Sequence, residues 1–210
     1  MLFFKKIICS FLETSTVLIG YSYEKLAVVI DPGTDSFSSI VKILEKEDFI
    51  LTGILLTHSH WDHVADVYKL KEKFACKVYV HNLDKDTFEN PGSDGLPLPI
   101  TLKKVKADIL LEDGSEVKVG ELFVEVIHTP GHTPGSVCYY LPKENLLLSG
   151  DTLFRGSIGN ISFPTSQPDK MFNSLIKLSK LPQDTRVIPG HGSETTIGRE
   201  KWLANPADVL

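Results

Sequence analysis

The sequence predicts an α/β protein, and three features of the 210-residue chain predict it. Apolar runs of strand length, bounded by turn residues, recur along most of its length. Amphipathic stretches with apolar side chains at helical spacing separate some of them. Phe49–Thr57, Asp62–Phe74 and Lys77–Val80 read as strand, helix and strand, an order that implies a parallel pair joined by a crossover. At this length a single domain over residues 1–210 is the expectation, with enough chain for a large core.

Leu2–Cys9, Thr16–Tyr21 and Leu26–Ile30 read as three antiparallel neighbours. Leu2–Cys9 places Lys5 and Lys6 ahead of Ile7 and Ile8, but its apolar part is too short for a signal peptide. Asp31-Pro32-Gly33 ends the third strand, and Asp31 suits either a turn former or a carboxylate that orients a metal ligand. Ser36–Glu47 predicts a helix through Phe37, Ile40, Val41 and Leu44, with Ser36 at its cap. The next helix, Asp62–Phe74, runs through Val64, Val67, Leu70 and Phe74. His81 follows Lys77–Val80 and reads as a turn residue rather than a ligand. Asn90–Pro99 is too rich in proline and glycine to be regular, and reads as a long loop, either a lid or plain surface. Ala107–Leu111, Glu116–Val119 and Glu121–Ile127 predict strands joined by tight turns at Asp113-Gly114 and Gly120. Val137–Leu141 and Leu146–Leu148 follow, then a helix at Lys170–Lys180 through Met171, Leu175, Ile176 and Leu178, then a strand at Arg186–Ile188.

The formal charge is −5 with both signs mixed along the chain. No basic stripe exists beyond Lys103, Lys104 and Lys106, which argues against a nucleic-acid partner. No apolar stretch reaches the ~18 residues of a membrane span, so no membrane partner is expected. Cys9, Cys76 and Cys138 are scattered and form no CxxC pair. They read as small buried side chains in a reducing, cytoplasmic setting. Oligomeric state is not legible.

The chemistry concentrates in Thr57-His58-Ser59-His60-Trp61-Asp62-His63, directly after the apolar Ile54-Leu55-Leu56. Imidazoles and a carboxylate this close are hard to explain as packing and are the usual ligands of zinc and similar ions. The alternative is a polar loop of solvated histidines. Alternation places His58 and His60 on one side, and a turn into a helix brings Asp62 and His63 round to a second position. Three further strand ends carry ligand-type residues: His132 in Pro130-Gly131-His132-Thr133-Pro134-Gly135, Asp151 in Gly150-Asp151, and His191 in Pro189-Gly190-His191-Gly192. Each of these three follows a glycine, which lets the backbone turn sharply. His128 reads as a local hydrogen-bonding residue. The set is too large for one tetrahedral ion and suits two ions about 3.5–4 Å apart that share a carboxylate and hold a hydroxide between them. The chemistry expected is hydrolysis without a protein nucleophile, and no GxSxG elbow competes for that role.

These motifs, together with Gly150-Asp151-Thr152-Leu153-Phe154, Ser157-Ile158-Gly159 and Thr196-Ile197-Gly198-Arg199-Glu200, resemble the metallo-β-lactamase superfamily, in particular its short hydroxyacylglutathione hydrolase (glyoxalase II)-like members. The resemblance implies a four-layer αβ/βα sandwich of two mixed sheets between helices. It implies His58, His60 and His132 at one ion, Asp62, His63 and His191 at the other, Asp151 bridging, and Asp31 behind them. The ions expected are two divalent metals, zinc first, with iron or manganese as alternatives. The expected substrate is a small-molecule thioester attacked by the bridging hydroxide, whose orientation Asp62 would hold. The larger glutathione thioesterases carry an extra C-terminal helical region and a basic residue shortly after the Gly-Asp-Thr-Leu-Phe run. Here the chain ends soon after His191, and Asn160 stands near the place of the basic residue, with Arg155 on the same run. A second expectation is an oxidoreductase similar to the persulfide dioxygenases, with one iron on His58, His132 and Asp151. A nuclease and a non-enzymatic metal-binding protein are the remaining alternatives, disfavoured by the acidic balance and by the intact ligand set respectively.

Overall fold

The computed structural model describes residues 1–208, so the last two positions of the expected domain lie outside the described residues. Two six-stranded sheets form the centre. The first holds β1 Leu2–Cys9, β2 Thr14–Tyr21, β3 Leu26–Ile30, β4 Ile50–Leu55, β5 Lys77–His81 and β6 Ile109–Leu111, side by side in chain order. The second holds β7 Glu116–Val119, β8 Leu122–His128, β9 Val137–Leu141, β10 Leu146–Gly150, β11 Arg186–Pro189 and β12 Thr195–Thr196, again in chain order. Both are mixed: β1 to β3 are antiparallel and β3 to β6 parallel, while in the second sheet β10 and β11 alone run parallel.

Alternation along the strands sorts the core into layers. Val17, Ile19 and Tyr21 of β2 and Val28 and Ile30 of β3 face the second sheet, meeting Val124, Val126, Tyr139 and Leu148. Their neighbours Leu18, Ala27 and Val29 face outward, under Ile40 and Leu44 of α1 Phe37–Glu47 and Val67 and Leu70 of α3 Val67–Phe74. On the far side Met171, Leu175 and Leu178 of α5 Pro168–Leu178 cover Tyr140, Leu147 and Val187. The result is helix, sheet, sheet, helix, the four-layer αβ/βα sandwich. No described helix is long and apolar enough to cross a membrane.

The expected antiparallel trio at the N-terminus and the parallel crossover from β4 to β5 are both present. Three expectations differ. Asp62–Phe74 is two helices, α2 Trp61–Val64 and α3, with a break at Ala65-Asp66. The Asp66 N–H donates to the Pro32 carbonyl at 3.0 Å, so a distant strand end takes the bond that would have continued the helix. Ser36 stands at the cap position of α1 without making a cap bond; the Phe37 N–H donates instead to the buried Asp66 carboxylate at 2.8 Å. The turn at Gly120 closes a hairpin, with Val119 opposite Leu122. The turn at Asp113-Gly114 does not, because β6 and β7 belong to different sheets and this turn carries the chain between them. A short helix, α4 Lys85–Glu89, and β12 carried no periodic signal long enough to predict. Asn90–Pro99 contains no helix or strand.

Candidate metal centre

Every expected ligand sits at or just beyond the C-terminal end of a strand, where a buried sheet gives way to a turn. Past β4, His58 lies in irregular backbone, and His60, extended at φ −66° and ψ 146°, is the last residue before α2. The first turn of α2 then swings Asp62 and His63 to the other side. From the second sheet, His132 lies beyond β8, Asp151 beyond β10 and His191 beyond β11. The glycines before Asp151 and His191 have specific causes. Gly150 adopts φ +48°. A Cβ on Gly190 would run into Asp151 Oδ1 and come within 2.9 Å of His63 Cε1.

The seven side chains form one cluster. His58, His60 and His132 bring ligand-type atoms within 4.8 Å of one another, as do Asp62, His63 and His191, and as do His58, His63 and Asp151. Asp151 lies between the two trios: its Oδ1 is 3.5 Å from His63 Nε2, and its Oδ2 is 3.5 Å from both His132 Nε2 and His191 Nε2. Asp62 Oδ2 is 3.3 Å from His191 Nε2 and 3.4 Å from His63 Nε2.

The outer ring nitrogens are tied back. His63 Nδ1 is 2.9 Å from Asp31 Oδ2, His132 Nδ1 2.7 Å from the Asn160 carbonyl, and His191 Nδ1 2.8 Å from the Leu12 carbonyl. His58 Nδ1 is 3.1 Å from Thr57 Oγ1, whose own proton goes to Asp31 Oδ2 at 2.6 Å. With an acceptor at Nδ1, the neutral ring of each of these four histidines keeps its proton there and turns its Nε2 lone pair to the cluster. His58, His60 and His132 Nε2 and Asp151 Oδ1 are buried without a hydrogen-bond partner. Such atoms are costly to bury unless something accepts their lone pairs. Three buried carboxylates, Asp31, Asp62 and Asp151, also demand positive charge, which no lysine or arginine among the described residues supplies through a salt bridge to them. The donor set therefore fits divalent cations.

Charge and burial divide the imidazoles. Burial, reinforced by the neighbouring histidines, holds His58 well below the ordinary histidine value and His60 down to about 3. Burial pulls His63 the same way, but Asp62, Asp151 and Asp31 outweigh it and push it up to about 10. For Asp62, burial raises the pKa, and His63 and His191 overcome that and hold it below the usual carboxylate range. The Asp62–His63–Asp31 side is thus a strong cation well, while His58 and His60 are neutral, as ligation requires.

Asp31 is 2% exposed at φ +48°, a left-handed conformation uncommon outside glycine. That conformation lets its carboxylate accept the Thr57 N–H at 2.7 Å as well as bonding Thr57 Oγ1 and His63. His81 and His128 stay outside the cluster, stacked on each other at 4.0 Å between ring centroids, with His128 Nε2 2.9 Å from the Pro134 carbonyl. Sequence reasoning missed two residues. Thr14 donates its hydroxyl to Asp62 Oδ2 at 3.1 Å. Buried Asp84, three residues past His81, accepts from Ser59 N (3.1 Å), Thr133 Oγ1 (2.8 Å) and Gly135 N (2.6 Å), joining the loop of His58–His63 to the loop of His132. The one available signal was Asp84 following a strand end, which is too common to use.

The cluster opens into a cavity of about 400 Å³ lined by His60, Asp62, His132, Asp151 and His191 on its floor, and by Leu12, Trp61, Leu96, Phe154, Asn160 and Phe163 around it. Leu96 comes from the Asn90–Pro99 loop.

A family model described as "Metallo-beta-lactamase superfamily" matches residues 10–191. The chain is 36% identical over 195 residues to "Hydroxyacylglutathione hydrolase GloC" of Haemophilus influenzae, covering 87% of each. Its fold is similar to "BLEG-1 B3 metallo-beta-lactamase" (TM-score 0.86, 38% identity, covering 94% of this chain and 96% of that one). It is also similar to TTHA1623 "in a di-iron-bound form" (TM-score 0.80, 36% identity, 93% and 96%).

Proposed function

The chain belongs to the metallo-β-lactamase superfamily, and from that premise we propose that it hydrolyses an acyl thioester in the manner of the hydroxyacylglutathione hydrolases. The observation that carries the reading is the cluster of five imidazoles and two carboxylates, in which His58, His63, His132 and His191 have their outer nitrogens tied back. We assign His58, His60 and His132 to one ion, Asp62, His63 and His191 to a second, and Asp151 to both. Zinc is the first choice, with iron or manganese as alternatives. A pair of divalent ions there supplies Lewis acidity and a hydroxide at neutral pH. We take residues 1–210 as one domain, a reading supported by a site that draws side chains from both sheets.

The remaining roles fall to the chain itself. Asp62, held ionised and fixed by the Thr14 hydroxyl, is placed to accept a proton from the attacking water and to orient it. No serine, threonine or cysteine is among the described residues lining the cavity. Burial also pushes the Cys76 and Cys138 thiols up to about 11. An acyl-enzyme route therefore has no nucleophile at hand. Water adds as hydroxide to the acyl carbon with one proton passing to Asp62; the C–S bond then breaks, the sulfur takes that proton back from Asp62 and leaves as the thiol, and the new carboxylic acid gives its own proton to solvent.

A second reading is an oxidoreductase with one iron on His58, His132 and Asp151, similar to the persulfide dioxygenases; the di-iron-bound form of TTHA1623 supports iron as the ion, and not the count of one. Metal analysis combined with thioester cleavage and oxygen uptake separates the two. Metal-loaded protein is expected to release thiol from thioesters, S-lactoylglutathione among them, and to stop when chelated. Asp151→Ala is expected to lose bound metal and turnover together; turnover persisting in the metal-free variant refutes the assignment.

A further inference from the structure

We infer that the thiol half of the substrate is uncharged and apolar where it meets the protein, so that a neutral aryl or alkyl thioester is preferred to the same ester of glutathione. This rests on the hydrolase reading above and concerns what surrounds the reacting centre.

Setting aside the five floor residues already assigned to metal, six residues line the cavity: Leu12, Trp61, Leu96, Phe154, Asn160 and Phe163. Five are apolar and the sixth is a neutral amide. No lysine or arginine lines it among the described residues. Lys6, near His191 in the fold, is bonded to the Gly192 carbonyl at 3.2 Å, and Arg155 is exposed on its loop without reaching the lining.

A glutathione arm carries two carboxylates and an ammonium. Laid along this wall, its charges lose hydration against aromatic and aliphatic side chains with no partner to replace the water. A neutral aryl or alkyl arm gains from the same surface, since burial of apolar area is favourable and the rings of Trp61, Phe154 and Phe163 offer edges and faces for stacking. The apolar surface continues outward: Phe11 is 80% exposed beside Trp61, with ring centroids 6.4 Å apart, and Leu12 and Leu98 are more than a third exposed. Asn160 supplies the one uncharged polar side chain of the wall. Its Oδ1 accepts the Ser162 N–H at 2.8 Å, on an exposed turn, while His132 is held by the Asn160 main-chain carbonyl, so a substitution at Asn160 costs that one turn bond and leaves the hold on His132 in place.

The test uses the metal-loaded full chain and two esters with one acyl group: the benzoyl thioester of N-acetylcysteamine, which is neutral, and that of glutathione. The expected result is a kcat/KM at least tenfold higher for the neutral ester, with Trp61→Ala raising its KM several-fold. Asn160→Lys, which brings a cation to the wall, is expected to raise kcat/KM for the glutathione ester several-fold and narrow the ratio. A binding measurement needs no turnover. The S-benzyl thioethers of the two thiols cannot be hydrolysed, and the neutral one should quench tryptophan fluorescence with a tenfold lower Kd, a signal that Trp61→Phe removes. Equal efficiency and affinity for the two, or preference for the glutathione compounds, overturns the inference while leaving the hydrolase reading intact. No cleavage of either ester by fully metallated protein overturns the hydrolase reading, and the inference falls with it.

Discussion

The two halves of the sandwich supply the site differently. The first sheet delivers its four ligand-type residues from one stretch, His58 to His63, and fixes them with side chains: Asp31 on Thr57 and His63, and Thr14 on Asp62. The second sheet delivers His132, Asp151 and His191 from three separate strand ends and fixes its two imidazoles with main-chain carbonyls, those of Asn160 and Leu12. One half therefore depends on the identity of the residues behind the ligands. The other depends on backbone path, which single substitutions seldom alter. The lesson is that anchoring residues are visible to mutation on one side of the site and nearly invisible on the other.

That asymmetry can be broken or sharpened by substitution. The largest effect is expected at Asp31. Asp31→Ala frees the Thr57 N–H and hydroxyl and the His63 ring together, and metal affinity measured by competition with a chromophoric chelator should fall roughly 10- to 100-fold. Asp84 is next, because it spans the halves. Asp84→Ala leaves Ser59 N, Gly135 N and Thr133 Oγ1 without their buried acceptor, and urea unfolding should show a loss on the order of 3 kcal/mol; an unchanged midpoint would mean that the loops hold together without it. Thr14→Val removes one hydrogen bond to a carboxylate, and binding of the second equivalent of metal should weaken about tenfold, a change of about 1.4 kcal/mol. Thr14→Ser should restore it. The smallest effect belongs to Leu12→Ala: its carbonyl, not its side chain, holds His191, so metal affinity should change by less than about twofold. A loss there as large as that of Asp31→Ala would erase the distinction between the halves.

How much of this was legible in the sequence follows the same division. The His58–His63 stretch announced itself because its residues are contiguous and follow a buried run. His132, Asp151 and His191 were legible through repetition of one local pattern, a glycine and then a ligand at or just past a strand end. Asp84 and Thr14 were not, because each is a lone polar residue whose role is created by what the fold brings beside it. The break at Ala65-Asp66 has the same origin: the acceptor that ends the helix pattern is Pro32, just past the end of β3. Local turn chemistry at Asp113-Gly114 also could not tell a hairpin from a crossing between sheets, since the turn is the same and only the partners of β6 and β7 differ.

The bond between Leu12 and His191 spans 179 positions, and His63 and His191, whose Nε2 atoms lie 3.1 Å apart, are 128 positions apart. On a translating ribosome, at about 5–20 residues per second, roughly 6 to 25 seconds separate the synthesis of these two histidines. During that interval the nascent chain displays the His58–His63 stretch without the residues that complete it. The Asp62–His63–His191 trio is therefore a late product of the chain: it stays incomplete until β11 is made and pairs beside β10, where the Gly190 carbonyl also accepts the Ser15 N–H of the N-terminal hairpin at 2.7 Å.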